Sequence, residues 1–253
     1  MRLLLIILLF FLNFNNLIAR QIGETEIIAE DGIEVFQIEK YYLLKKNVKI
    51  NSDNFILRGD EIKIFFNNDL YDIKIIDAKG NVDLNSDYYN IKANGESLYF
   101  EINEEKLRIK GINSKLITED TVMLSDGEIN VNNSNGEFDL YGANSELKSE
   151  NIIIKGNKIN GVFSNNNNKE VSVLYVFDEN IAYVENDNTQ MFAKNIRYNK
   201  ETSLIELEDK VKIHSKGEII TGDYGTLNTE TNAYKIKSKD SNKVKVIISN
   251  KNE

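Results

Sequence analysis

Alternation with a period of two constrains this chain more than any other feature of its sequence. Val48-Lys49-Ile50-Asn51, Val82-Asp83-Leu84-Asn85, Ile129-Asn130-Val131-Asn132 and Val211-Lys212-Ile213-His214 each place apolar and polar residues by turns. That is how a strand reads when one face is buried and the other is wet. β-Branched and aromatic residues fill these runs, and Asn, Asp, Gly and Ser separate them at short intervals. No stretch has a convincing helical period. Glu104-Glu105-Lys106 and Asn199-Lys200-Glu201 read as polar hairpin tips. The expected fold class is all-β.

The runs also repeat. Val48 is followed 11 residues later by Gly59, and Val211 by Gly222 at the same distance. Val82 to Gly95 and Ile129 to Gly142 each span 13 residues. The difference of two preserves strand facing. Each unit reads as strand, polar turn, strand, Gly corner, strand. Such a unit cannot bury an apolar face alone, so the units must stack. The corner glycines Gly59, Gly95, Gly142 and Gly222 are expected to permit positive φ or a bulge where the chain turns. Alternation then puts Val48, Ile50, Ile56, Ile62, Ile64, Val82, Leu84, Ile91, Leu98 and Phe100 on one face of the N-terminal part. Val211, Ile213, Ile219, Leu227 and Ile236 share a face of the C-terminal part. This face is either a closed core or an apolar groove.

The N-terminus has the layout of a secretory signal peptide, taken as residues 1–19: Met1-Arg2, an apolar run Leu3 to Leu12, then Leu17-Ile18-Ala19 before a cleavage point. The run is about half the roughly 20 residues a spanning helix needs. Retention of these residues as a membrane anchor is the alternative. Residues 20–164 read as an N-terminal β-repeat stack and 165–170 as a polar loop around Asn165 to Asn168. Residues 171–249 read as a C-terminal segment, either continuous with the first stack or separate.

Charge and composition remove whole classes of function. Net charge is −9, so no basic field draws in nucleic acid. With no Cys and one His, neither a thiolate zinc site nor a multi-His metal site can form. His214 sits at a polar-facing strand position, and Arg58-Gly59-Asp60 falls on a repeat corner, so neither reads as a site. No carboxylate pair stands out for general acid–base work, and no phosphate-binding Gly-rich loop leads into Lys-Ser or Lys-Thr. The expectation is a protein with no catalytic residues, no metal and no cofactor. Lysines cluster at 40, 45, 46 and 49 and again at 235, 237, 239, 243 and 245. They suit lipid headgroups, partner subunits or a solvated strand face.

The repeated unit resembles the OstA-like repeat of the LptA-type lipopolysaccharide export family. The resemblance is carried by NVKINSDNFILRGDEIKIFF (47–66) and IRYNKETSLIELEDKVKIHSKGEIITGDYGTLNTETNAYKIKS (196–238). It implies a β-jellyroll, an antiparallel sheet folded over and open along one side, with lipid A acyl chains carried along an apolar groove. It also implies a periplasmic, non-enzymatic role in lipopolysaccharide transport for outer-membrane assembly. Expected partners are lipopolysaccharide, inner-membrane-anchored and outer-membrane components of the same β-jellyroll fold, and further copies joined head to tail. Two other classes stay open on the residues alone: a secreted β-solenoid acting on or binding polysaccharide, and a structural surface repeat protein.

Overall fold

A computed structural model describes residues 22–68, 72–149, 152–164, 170–186, 189–215, 217–239 and 243–248. The 1–19 segment lies outside them, as do residues 165–169 of the polar loop. The chain is all-β, as the alternation requires, with 18 strands in one antiparallel sheet and no helix among the described residues. The long strands are β3 (Tyr41–Asn51), β4 (Ile56–Phe66), β5 (Ile73–Ser86), β6 (Ile91–Glu101), β11 (Glu137–Ser149), β12 (Ile152–Phe163), β13 (Val171–Asn186), β14 (Thr189–Asn199), β15 (Leu204–Ser215) and β16 (Glu218–Asn228). Between β6 and β11 the rungs are broken in two. β7 (Lys106–Lys110) and β8 (Ser114–Ile117) pair with the two halves of β6, while β9 (Thr121–Ser125) and β10 (Glu128–Asn132) pair with those of β11. The end rungs are broken in the same way. β1 (Glu26–Ile28) and β2 (Ile33–Phe36) both pair with β3, and β17 (Tyr234–Lys237) and β18 (Lys245–Ile248) both pair with β16. β12 and β13, on either side of 165–169, are paired neighbours.

Every long strand is bent near its middle, and the bend makes the fold a β-jellyroll. Ile76 and Leu84 of β5 line the same cavity, yet a straight strand would hold residues eight apart at about 26 Å. The register slips where the bends occur, between Lys45 and Val48, Lys79 and Val82, Phe177 and Ala182, and Glu208 and Val211. These bulges align across the sheet into a spine. The two halves fold toward each other about it, enclosing one apolar interior from Leu44 to Leu227. The hairpin turns form two margins that face each other across a mouth.

The strain at the spine does not sit where the sequence reading put it. Gly142 has positive φ (132°) inside its own bulge, but Gly59, Gly95 and Gly222 do not. The left-handed residues precede the Val-x-Ile or Val-x-Leu runs instead: Lys46 and Asn47 (63° and 48°), Gly80 and Asn81 (72° and 47°), Asp209 and Lys210 (63° and 56°). Gly59, Gly95 and Gly222 lie directly across the ladder from Val48, Val82 and Val211. The recurring Val-to-Gly distance is thus a cross-strand register. Glycine is needed at two of these positions for close approach: a Cβ on Gly95 would lie 2.7 Å from Ile109 Cγ2, and one on Gly222 would lie 2.5 Å from Ile236 Cγ2.

The acid after the glycine then fastens the next bend. Asp60 Oδ2 accepts from Asn81 Nδ2 (2.9 Å), Glu96 Oε1 from the Ile112 amide (3.3 Å) and Asp223 Oδ2 from the Lys239 amide (2.8 Å). Asp126, which precedes its glycine, makes two such bonds, accepting from Asn144 Nδ2 (2.6 Å) and the Asn113 amide (2.9 Å). These two bonds, that from Asn144 foremost, hold the Asp126 carboxyl below its ordinary value. A carboxyl depressed on folding contributes stability above its unfolded pKa of about 3.9, and the contribution is lost as pH falls through the lower folded value. Asp126→Asn should therefore lower the unfolding midpoint at pH 7, and the gap to wild type should narrow at pH 3. Thermal unfolding at the two pH values measures this.

Candidate lipid-binding interior

Ten of the residues expected to line one face do so, and are buried: Val48, Ile50, Ile62, Ile64, Val82, Leu84, Leu98, Val211, Ile213 and Leu227. Ile91, Phe100 and Ile236 are half-buried against the same core. Ile56 and Ile219 are corrections. Both sit on the outer wall, and their neighbours Leu57 and Ile220 point inward. In β4 the inward set runs Leu57, Gly59, then Ile62 and Ile64; in β16 it runs Ile220, then Gly225 and Leu227. The bulge shifts the facing by one residue, so an alternation continued through the glycine picks the wrong neighbour.

The interior is packed rather than open. Leu44, Leu57, Ile62, Ile109, Leu140, Ile159 and Leu207 have no measurable exposure. Two small cavities lie at the mouth. The first, about 20 Å³, is bounded by Phe55, Leu57, Leu84, Tyr89, Phe100 and Leu107. The second, about 60 Å³, is bounded by Ile152, Val184, Ile196, Tyr198 and Thr229. A dry cavity of roughly 150 Å³ is needed for a ligand the size of benzene. Neither cavity admits a hydrocarbon chain unless the two halves of the sheet part along the mouth.

Aromatic side chains close that mouth. Tyr89, on the β5–β6 turn, meets Phe100 of the opposite half edge-on with centroids 6.3 Å apart. The turn is pinned by Ser86, whose hydroxyl donates to the Asn54 carbonyl (2.6 Å) and accepts from the Tyr89 amide (3.1 Å). Burial pushes the phenols of Tyr89 and Tyr198 up. Phe55, Tyr89 and Tyr198 were not among the residues expected from sequence. They stand in or beside turns, where period-two alternation says nothing.

The outer wall is charged and mostly paired. Lys45 reaches Glu34 at 2.8 Å and Lys46 reaches Glu30 at 3.4 Å, tying β3 to the β1–β2 rung. Arg58 reaches Asp83 at 3.2 Å across β4 and β5. His214 lies on this wall with its ring 5.7 Å from that of Phe192. Its Nε2 is buried without a hydrogen-bond partner, and burial together with the Lys212 charge holds its pKa below the usual value.

The two ends of the sheet differ from its middle. Among the described residues no ladder joins β17 or β18 to β1 or β2, so both end rungs have a free edge. Val246, Ile247 and Ile248 of β18 are 51%, 44% and 66% exposed, and Ile33 and Val35 of β2 are each 48% exposed.

No protein-family model matches the sequence, and no curated protein matches it. Among solved structures the chain is similar to LptH of Pseudomonas aeruginosa, described as the LptA-homologous periplasmic component of the lipopolysaccharide transport device. The two are 8% identical with a TM-score of 0.23, over 89% of this chain and 95% of that one.

Proposed function

We propose that this chain is a non-enzymatic periplasmic carrier that takes the acyl chains of lipopolysaccharide between the two halves of its folded sheet. The observation that carries the reading is the single apolar interior continuing unbroken through every rung. With rungs about 4.8 Å apart, it runs for roughly 60 Å. The family resemblance of segments 47–66 and 196–238 points the same way.

The energetics favour passage over storage. Each buried CH₂ contributes about 0.8 kcal/mol, so one chain of about a dozen carbons gains up to roughly 10 kcal/mol. Several chains held in an isolated pocket would almost never leave. Along a continuous interior each step exchanges one apolar surrounding for another, and the drive comes from a different component. The free edges at β1–β2 and at β17–β18 suit strand addition. Head-to-tail copies, or anchored and outer-membrane components of the same fold, would extend the interior in line.

The test is co-purification. Purified protein mixed with detergent-dispersed lipopolysaccharide should retain it through size exclusion, and Tyr89→Asp together with Phe100→Asp, at the half-buried mouth, should abolish retention in a chain that stays folded by circular dichroism. Retention unaffected by both substitutions, or no retention by folded wild type, would refute the carrier.

A further inference from the structure

The outer wall carries a concavity directly behind the mouth. Strands β6, β7, β10 and β11 present Tyr99, Arg108, Asn130 and Asp139 in one cross-strand row. Glu101, Lys106, Asn132 and Glu137 form the next row, beside the hairpin turns of the margin. Together they line a saddle of about 320 Å³, the lower end of the range for small-molecule sites.

Its chemistry is specific. The Tyr99 ring has the Arg108 guanidinium over it at 6.0 Å, and Arg108 Nε donates to Asn130 Oδ1 at 3.0 Å. Both cations are paired with acids outside the saddle: Lys106 with Glu104 (3.3 Å), and Arg108 with Glu128 (3.3 Å), a carboxylate that Lys110 also holds at 2.9 Å. Counting these pairs with Glu101, Glu137 and Asp139, five carboxylates face three cations, and the net negative charge disfavours phosphate and other anions. No three carboxylate or imidazole groups converge closely enough for a metal among the described residues. What remains is the Tyr99 ring with Arg108 over one side, two amides whose nitrogens donate while their oxygens already accept from Arg108 and Ser134, and carboxylates that accept. That set matches a neutral sugar, which offers a C–H face and hydroxyls that donate and accept.

The place of the saddle says which sugar. Phe100 and Leu107, which bound the first mouth cavity, alternate along β6 and β7 with Tyr99, Glu101, Lys106 and Arg108. We infer that the saddle seats neutral hexose units of a glycolipid draped over this margin, with its acyl part inside the mouth and its saccharide on the outer wall. This rests on the carrier reading for the acyl part only.

The probe that separates the two is a neutral oligosaccharide of hexose units, maltotriose, which has neither acyl chains nor charge. Titrated against the full chain and followed by saturation-transfer NMR, it should bind weakly. Tyr99→Ala and Asn130→Ala should each weaken binding by about fivefold or more, with unfolding midpoints unchanged. Absence of oligosaccharide binding, or binding indifferent to both saddle substitutions, would overturn the inference even if the acyl carrier stands.

Discussion

Phe138→Ala should be the most damaging single truncation in this chain. Phe138 is 1% exposed and is the largest of the fully buried side chains. Its ring lies 4.5 Å from that of Phe163, at a sheet pairing where Gly161 leaves room for it. Truncating a buried Phe removes its transfer energy and leaves a cavity, at a cost of about 3–5 kcal/mol. In a chain of this size that lowers the unfolding midpoint on the order of 10 °C. Thermal unfolding followed by circular dichroism reads the shift, and a loss under about 1 kcal/mol would mean this part of the interior is not packed as described.

The second large effect is a contrast within one repeated position. Gly59 and Gly95 occupy the same place, each across the ladder from a Val that follows a left-handed pair. A Cβ on Gly59 meets nothing nearer than 3.4 Å, an ordinary contact. One on Gly95 would lie 2.7 Å from Ile109 Cγ2 and 2.9 Å from the Lys110 carbonyl oxygen. Ile109 is fully buried and the carbonyl is backbone, so neither can give way cheaply. Gly95→Ala should cost about 2 kcal/mol or more. Gly59→Ala should change stability by less than about 1 kcal/mol in either direction, since alanine also restricts the unfolded chain. Equal effects at the two sites would contradict the register.

These two glycines also mark the limit of what the sequence discloses. Strand facing was legible wherever alternation ran unbroken: Val48 with Ile50, Val82 with Leu84, and Val211 with Ile213 all point inward. The Val-to-Gly distance was visible as a repeat, though its meaning as a cross-strand pair was not. Alternation fails at a bulge because one added residue reverses the facing beyond it, so an unbroken period of two points to Ile56 and Ile219 where Leu57 and Ile220 stand inward. A Gly followed by an acid at 59–60, 95–96 and 222–223 was a readable signal for the spine bonds. The mouth was not readable, because Phe55 and Tyr89 reach the cavity from turns some 30 residues apart in sequence. The saddle was hidden for the same reason: Tyr99 and Asp139 come into one row, with Arg108 and Asn130 between them, only once β6, β7, β10 and β11 pair.

The carrier reading stands or falls on whether lipid reaches the inner face. A photoreactive residue placed singly at Leu57, Ile64 and Ile213, with Ile56 and Ile219 as apolar controls on the outer wall, asks this directly. The paired controls separate facing from hydrophobicity, since Ile56 and Leu57 are adjacent in sequence and point opposite ways. On illumination with lipopolysaccharide, the account predicts adducts at Leu57, Ile64 and Ile213 and none at Ile56 or Ile219. Adducts at the outer positions only, or at none in a folded protein, would contradict it and leave the interior as a closed core.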